Sequence, residues 1–272
     1  MSGPRLIKAH AYGNDFLLAT DEGDIADVPA FTRAVCARHT GVGADGLILF
    51  TLRDRGATMR LWNADGSVSE LSGNGLRCLG AHIVLSQDLD AGATLTVETG
   101  AGPKTLDVIA REGSRVTFRA AMGQPEQLRQ MELVAAGETV RASVLRMGNP
   151  QCVVLGPLPG EERFNRVGPA LSTHAAFPAG TNVEFAHVEA PNRVRILIWE
   201  RGVGPTTSSG TGSSASAVAA AAHGGASRDL EVVAPGGTQR VEWTAAGVFL
   251  TGWAHVVLDA EWKGGAPGAD VP

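Results

Sequence analysis

The chain matches itself. "MRLWNADGSVSELSGNG" (59 to 75) lies on "RILIWERGVGPTTSSGTG" (195 to 212) at an offset of about 137, which sets Trp62 on Trp199, Asn63 on Glu200 and Ser72 on Ser209. At the same offset "GADG" (43 to 46) falls on "GTNV" (180 to 183), and at nearly the same one "YGNDFLLA" (12 to 19) falls on "MGNPQCVV" (147 to 154). Collinear matches at one spacing predict two copies of a single fold. The expected domains are 1–120 and 121–262, with the boundary near "AAMGQP", and 263–272 ("GGAPGADVP" from 264) is expected to be a frayed tail.

Two copies fit within 272 residues, a length that buries roughly three quarters of the unfolded surface and so supports a proper core. With 44% hydrophobic and 19% charged residues the composition is that of a soluble globular protein. The net charge of −5, without a dense Lys/Arg cluster, argues against a nucleic-acid partner and for a small ligand. No apolar run approaches the roughly 20 residues that cross a bilayer, and "MSGPRLIKAHAYGN" lacks a signal-peptide apolar region, so no membrane partner is expected and the cytoplasm is the default location. Cys36, Cys78 and Cys152 are scattered, with neither CxxC nor His-paired spacing; they read as reduced, buried, small apolar residues, and no metal site is expected.

Both copies read as strand-rich. "DGLILF", "ATMRLW", "ATLTVET" and "SRVTFRA" in the first half, and "RASVLRM", "QCVVLG", "NVEFAHV", "RVRILIW", "LEVVAP", "QRVEW" and "AHVVLDA" in the second, have β-branched or alternating character between Gly, Asp and Pro signals. "EAPNRV" reads as a hairpin turn. Four helices are expected: from Pro29 to Arg38, after Ser72, near 161 to 173, and after Ser209.

After Ser72, Leu76, Leu79, Gly80 and Ile83 recur at helical spacing, so one face is buried. After Ser209, "ASAVAAAAH" is a helix of small residues, packed on every side, that stops at Gly224 and Gly225. Both helices begin at a serine followed by Gly-x-Gly, where N–H groups and the positive dipole end favour an anionic ligand group. A serine there can also be a plain N-cap, with the glycines as turn residues. Two such starts in duplicated domains favour the binding site. A nucleotide loop fits poorly, since "SSGTGSS" lacks the P-loop lysine and the dinucleotide glycine spacing.

In "YGNDF", "GVGADGL", "NADGS", "SGNGLRC", "MGNPQCVV", "GTNVEF" and "ERGVGPTTSSGTGSSASAVAA", which span nearly the whole chain, the sequence resembles the diaminopimelate epimerase family. The resemblance implies an α+β fold of two homologous domains, each a mixed β-sheet wrapped round a central helix, with an active-site cleft between them. It implies a cofactor-independent isomerase that interconverts diaminopimelate stereoisomers, a place in lysine and peptidoglycan precursor supply, and an amino-acid substrate; a homodimer is compatible with it. Family members use two cysteines as opposed base and acid, one removing the α-proton and one protonating the other face, because no cofactor spreads the carbanion's charge. Those positions fall on Ser72 and Ser209 here. A hydroxyl is a far weaker acid than a thiol, and neither segment carries an adjacent His or Lys, so little or no turnover is expected.

By the same resemblance Asn14, Asn63, Asn149, Asn182, Glu200 and Arg201 hold the substrate's amino and carboxylate groups, while the α-carboxylate lies on the amides beginning at Gly73, Asn74, Gly210 and Thr211. Arg201 suits a two-bond clasp and Glu200 an ammonium group. Two further departures stand out: Gln151 replaces the histidine of the family's "GNPH", and Pro205 stands where "GET" would supply a glutamate. The alternatives are a non-catalytic amino-acid binding homologue, or an isomerase of another substrate that works through a carboxylate such as Glu200 or Asp65, the phenazine-biosynthesis family being the nearest enzymatic rival.

Overall fold

The computed structural model describes residues 4–23 and 25–264. Its chain divides into two compact units: one runs up to Arg119 and resumes at Trp253, and the other is Ala120–Gly252. The first contains β1 (Arg5–Ala11), β2 (Asn14–Thr20), α1 (Val28–Cys36), β3 (Gly46–Arg53), β4 (Gly56–Asn63), β5 (Val68–Ser69), α2 (Gly73–Ser86), β6 (Thr94–Thr99), β7 (Gly102–Glu112) and most of β8 (Arg115–Gly123). The second contains β9 (Glu126–Ala135), β10 (Glu138–Met147), β11 (Asn149–Leu155), α3 (Glu161–Ser172), β12 (Asn182–Ala190), β13 (Arg193–Glu200), β14 (Gly204–Thr206), α4 (Gly210–His223), β15 (Asp229–Ala234) and β16 (Gly237–Thr244). β17 (Gly247–Glu261) starts in the second unit and ends in the first.

The pairings repeat. In the first unit β1 and β2 are antiparallel, β2 and β3 parallel, β3 and β4 antiparallel, β4 and β6 parallel, and β6 and β7 antiparallel. β10, β11, β12, β13, β15 and β16 follow the same sequence of senses in the second. Each unit is a mixed sheet curled about one helix: α2 packs on β1, β2, β3 and β4, and α4 on β10, β11, β12, β13, β15 and β16. This is the α+β class that the sequence predicts.

The helices owe their seats to small residues. At Gly80 a Cβ would lie 2.7 Å from Leu106 Cδ1 and 3.2 Å from Phe118 Cζ, so a larger residue there would force these buried side chains to shift. In α4 residues 212–220 are all buried, and Ala215, Val218, Ala219 and Ala220 join Leu145, Val153, Ile196 and Leu250 in one core. Burying a valine such as Val218 contributes about 1.5–3 kcal/mol. Helix α1 starts where Asp27 caps the Ala30 N–H (2.9 Å), and it stops at Cys36, short of the expected Arg38.

One expectation is corrected. Residues 253–262 were assigned to the second copy, but β1 pairs antiparallel with β17, from Arg5 opposite Glu261 to His10 opposite His255, so they complete the first unit. Of the expected tail, only Lys263 and Gly264 fall within the described residues. Strands β1, β2, β5, β7, β9 and β14 escape the sequence reading; β7 and β9 carry charged residues on an exposed face that alternates with a sparse buried one. The cysteines are free and buried as expected, and burial pushes all three thiols up, Cys36 to about 12.

Candidate active site

Each central helix begins in the same way. Ser72, in extended backbone, accepts a hydrogen bond on Oγ from the Gly75 N–H (3.1 Å), and Ser209 accepts one from the Gly212 N–H (3.1 Å). The Leu76 and Ser213 N–H groups turn back to the Ser72 and Ser209 carbonyls. Both serines are therefore N-caps, as the simpler sequence reading allows. Capping still leaves the N–H groups of Gly73, Gly210 and Thr211 without partners among the described residues, at the positive end of each dipole. Among the described residues neither hydroxyl is bonded to a His or Lys.

Beside Ser72 the sheet carries a relay of amides and charges. Asn74 Nδ2 donates to Asn14 Oδ1 (3.0 Å), and Asn14 Nδ2 donates to Asp45 Oδ2 (2.7 Å). Arg38 bridges Asp45 (2.7 Å) and Asp15 (2.9 Å), and Lys8 reaches Asp15 at 3.0 Å. Burial alone would raise the Asp15 carboxyl, but its bonds to Arg38 and Lys8 outweigh burial and hold it below the ordinary value. Arg77, 1% exposed on α2, donates through Nη2 to Asn74 Oδ1 while its Nε has no partner among the described residues. Asn63 stands apart from this relay, its Nδ2 donating to Ser67 Oγ (2.9 Å) in the "NADGS" turn.

Beside Ser209 a second network gathers. Oriented by its neighbours, the Gln151 amide donates to Glu184 Oε1 (2.8 Å), and its oxygen accepts from Asn182 Nδ2 (3.2 Å) and Thr211 Oγ1 (3.1 Å) while meeting the Asn149 amide. Asn182 Oδ1 accepts from the Arg201 N–H (2.9 Å). The Arg201 guanidinium donates to the Ala179 carbonyl (2.7 Å), and no carboxylate pairs with it among the described residues. Pro205 is exposed in β14. Thus Asn14, Asn74 and Ser72 share one helix start, and Asn149, Asn182, Arg201, Thr211 and Ser209 share the other.

Asp65, a rival base in the sequence reading, is spoken for. It accepts from the Ser67 Oγ (2.6 Å) and N–H (2.8 Å), and these bonds hold it below the ordinary carboxylate value. A recess of about 1870 Å³ in the first unit, lined by Arg5, Asp21, Phe31, Arg60, His82 and Trp262 among others, contains none of the predicted site residues.

The fold is shared with solved epimerases. A predicted epimerase from Pseudomonas aeruginosa superposes with a TM-score of 0.72 at 16% identity, over 97% of this chain and 100% of that one. The family model described as diaminopimelate epimerase matches residues 6–128 and 143–257. The diaminopimelate epimerase of Desulforudis audaxviator is 40% identical over 94% of this chain and 98% of its own, and that of Desulfitobacterium hafniense 38% over 93% and 96%. The chain belongs to the diaminopimelate epimerase family.

Sequence reasoning passed over Asp45, Arg77 and Glu184. A signal existed for the last two, since each is a charged residue inside an apolar pattern ("GLRCLG", "NVEFA") that the structure buries almost completely.

Proposed function

We propose that this chain is an amino-acid epimerase scaffold that binds diaminopimelate, with Ser72 and Ser209 in the two proton-transfer seats and little or no turnover. The observation that carries this reading is the pair of capped helix starts, each with unpartnered first-turn N–H groups, in a member of this family. In it, Gly73, Asn74, Gly210 and Thr211 receive the α-carboxylate, Arg201 clasps a carboxylate, Glu200 receives an ammonium group, Asn14, Asn63, Asn149 and Asn182 help to hold the amino and carboxylate groups, and no cofactor takes part. A cysteine at a helix N-terminus has an ionisable thiol poised near neutral pH. Serine keeps the shape and the cap but not the acidity, and positioned acid–base groups are worth about 10²–10⁴-fold in rate.

The test is solvent exchange: meso- and LL-diaminopimelate are incubated with the protein in heavy water and the α-proton signal is followed by NMR. The expected result is binding without exchange, and exchange restored by Ser72→Cys combined with Ser209→Cys. Absence of both binding and rescue would discard the reading, and rapid exchange by the unmodified chain would overturn the expectation of silence.

A further inference from the structure

The duplicated strands place different chemistry beneath the two helix starts. β3 pairs Leu47 with Trp62, and β12 pairs Val183 with Trp199; counted from these matched tryptophans, Ile48 corresponds to Glu184. β2 pairs Phe16 with Gly46 and β11 pairs Gln151 with Asn182, so Phe16 corresponds to Gln151. Under α2 the pair is apolar: a Cβ on Gly75 would lie 3.0 Å from Ile48 Cδ1 and 3.5 Å from Phe16 Cε1. Under α4 it is an amide and a carboxyl. A Cβ on Gly212 would lie 2.6 Å from Glu184 Oε1 and 3.2 Å from Ser209 Oγ, so both oxygens flank one point in the first turn.

Glu184 has no exposed surface, and the Gln151 amide nitrogen lies 2.8 Å from Oε1 and 3.3 Å from Oε2. Among the described residues no N–H of the helix start bonds it: those of Gly212 and Ser213 are taken by Ser209, and those of Gly210 and Thr211 have no partner. The titratable groups that act on it are Glu200 from β13 and the Cys152 thiol from β11, and among the described residues no cation acts on it. Burial first, and the Glu200 charge second, hold its carboxyl well above the ordinary range.

We propose that Glu184 is a positioning residue of the Ser209 seat: it anchors the Gln151 amide, whose oxygen holds Asn182 and Thr211, and its charge state gates the anion cradle at the start of α4. A neutral Glu184 leaves the dipole end of α4 to a ligand carboxylate. An ionised one sets a negative charge beneath it and repels that carboxylate. The gating rests on the proposed binding of an amino acid, whereas the buried acid does not.

Two measurements test the gate. Titration calorimetry of meso-diaminopimelate against wild type and Glu184→Gln, from neutral to alkaline pH, should show wild-type affinity falling about tenfold further than that of the variant. Parallel profiles would overturn the gate. Infrared spectra should show one protonated-carboxyl band that persists where surface carboxylates are ionised and is missing in Glu184→Gln; its absence from wild type would overturn the proposal outright. If neither protein binds but the band behaves as described, the proposed substrate falls and the buried acid stands. Should Glu184→Gln fold poorly, Gln151→Met removes the donor instead and should move the band's ionisation to higher pH; an unmoved midpoint would refute the anchor.

Discussion

The start of α2 and the start of α4 share a serine cap of equal length, yet one sits beside a buried guanidinium over an apolar floor and the other over a buried carboxyl. Duplication preserved the backbone device and released the side chains beneath it. In a two-base reaction the seats need not be alike, since one gives up a proton while the other takes one, and their surroundings can bias the direction. On the function proposed above, the two seats differ in having Arg77 near one and the Gln151–Glu184 pair near the other.

Placing a thiol in one seat at a time would sharpen this contrast most. Ser72→Cys and Ser209→Cys, made separately, should ionise at different pH: beside Arg77 the thiol is favoured as thiolate, and beside Glu184 it is not. A separation of about one unit, read as roughly tenfold faster alkylation of the Ser72→Cys protein at neutral pH, is expected. Indistinguishable alkylation profiles would break the comparison.

A smaller effect concerns the glycines of the two first turns. In Gly75→Ala the new methyl meets the flexible tip of Ile48, and the gain in helix propensity offsets the contact, so stability should change little. In Gly212→Ala it meets a carboxyl oxygen pinned by Gln151, and a loss of about 1–3 kcal/mol in denaturant unfolding is expected. Equal losses would mean that the two floors yield alike.

The smallest expected effect is a difference between the units in their response to pH. Asp15 is held low, so its contribution is present above the unfolded value and lost as pH falls through the folded one. His10 and His82, lowered chiefly by burial, act in the same sense, losing stability as pH falls below the ordinary histidine range. Glu184 is held high, so its contribution is full below the unfolded carboxylate value and lost as pH rises through the folded one. Glu138, Glu189 and Asp229 of the second unit are held low by arginines at its surface and, like Asp15, favour opening on acidification, so the units differ on the alkaline side: hydrogen exchange read unit by unit should show the second unit alone opening on mild alkalinisation, below the range in which the buried thiols ionise. The same alkaline trend in both units would refute the assignment.

Much of this was legible in the chain. The repeat foretold the matched pairings, because strand order follows from two copies with the same periodicities, and the serines with their glycines located both helix starts. Gln151 stood out as a departure. Its partner did not, because alternation in "NVEFA" shows that Glu184 faces inward without showing what it meets. Arg77 was hidden in the same way: helical spacing puts it on α2, and only packing reveals that the guanidinium is enclosed. Residues 253–261 were misassigned because a local reading joins a strand to its sequence neighbours, whereas β17 passes from a β16 partner to a β1 partner within one run.

That last strand has a consequence for how the molecule is made. The second unit lines β10 with β9, a neighbour supplied at once by a tight hairpin. The first must line β1 with a segment that leaves the ribosome far later; the Arg5–Asp259 ion pair joins residues 254 positions apart. Such a closure is slow rather than costly, since the entropy of a loop grows only with the logarithm of its length. The half translated first is thus the half completed last, and its β1 edge stays open until β17 arrives.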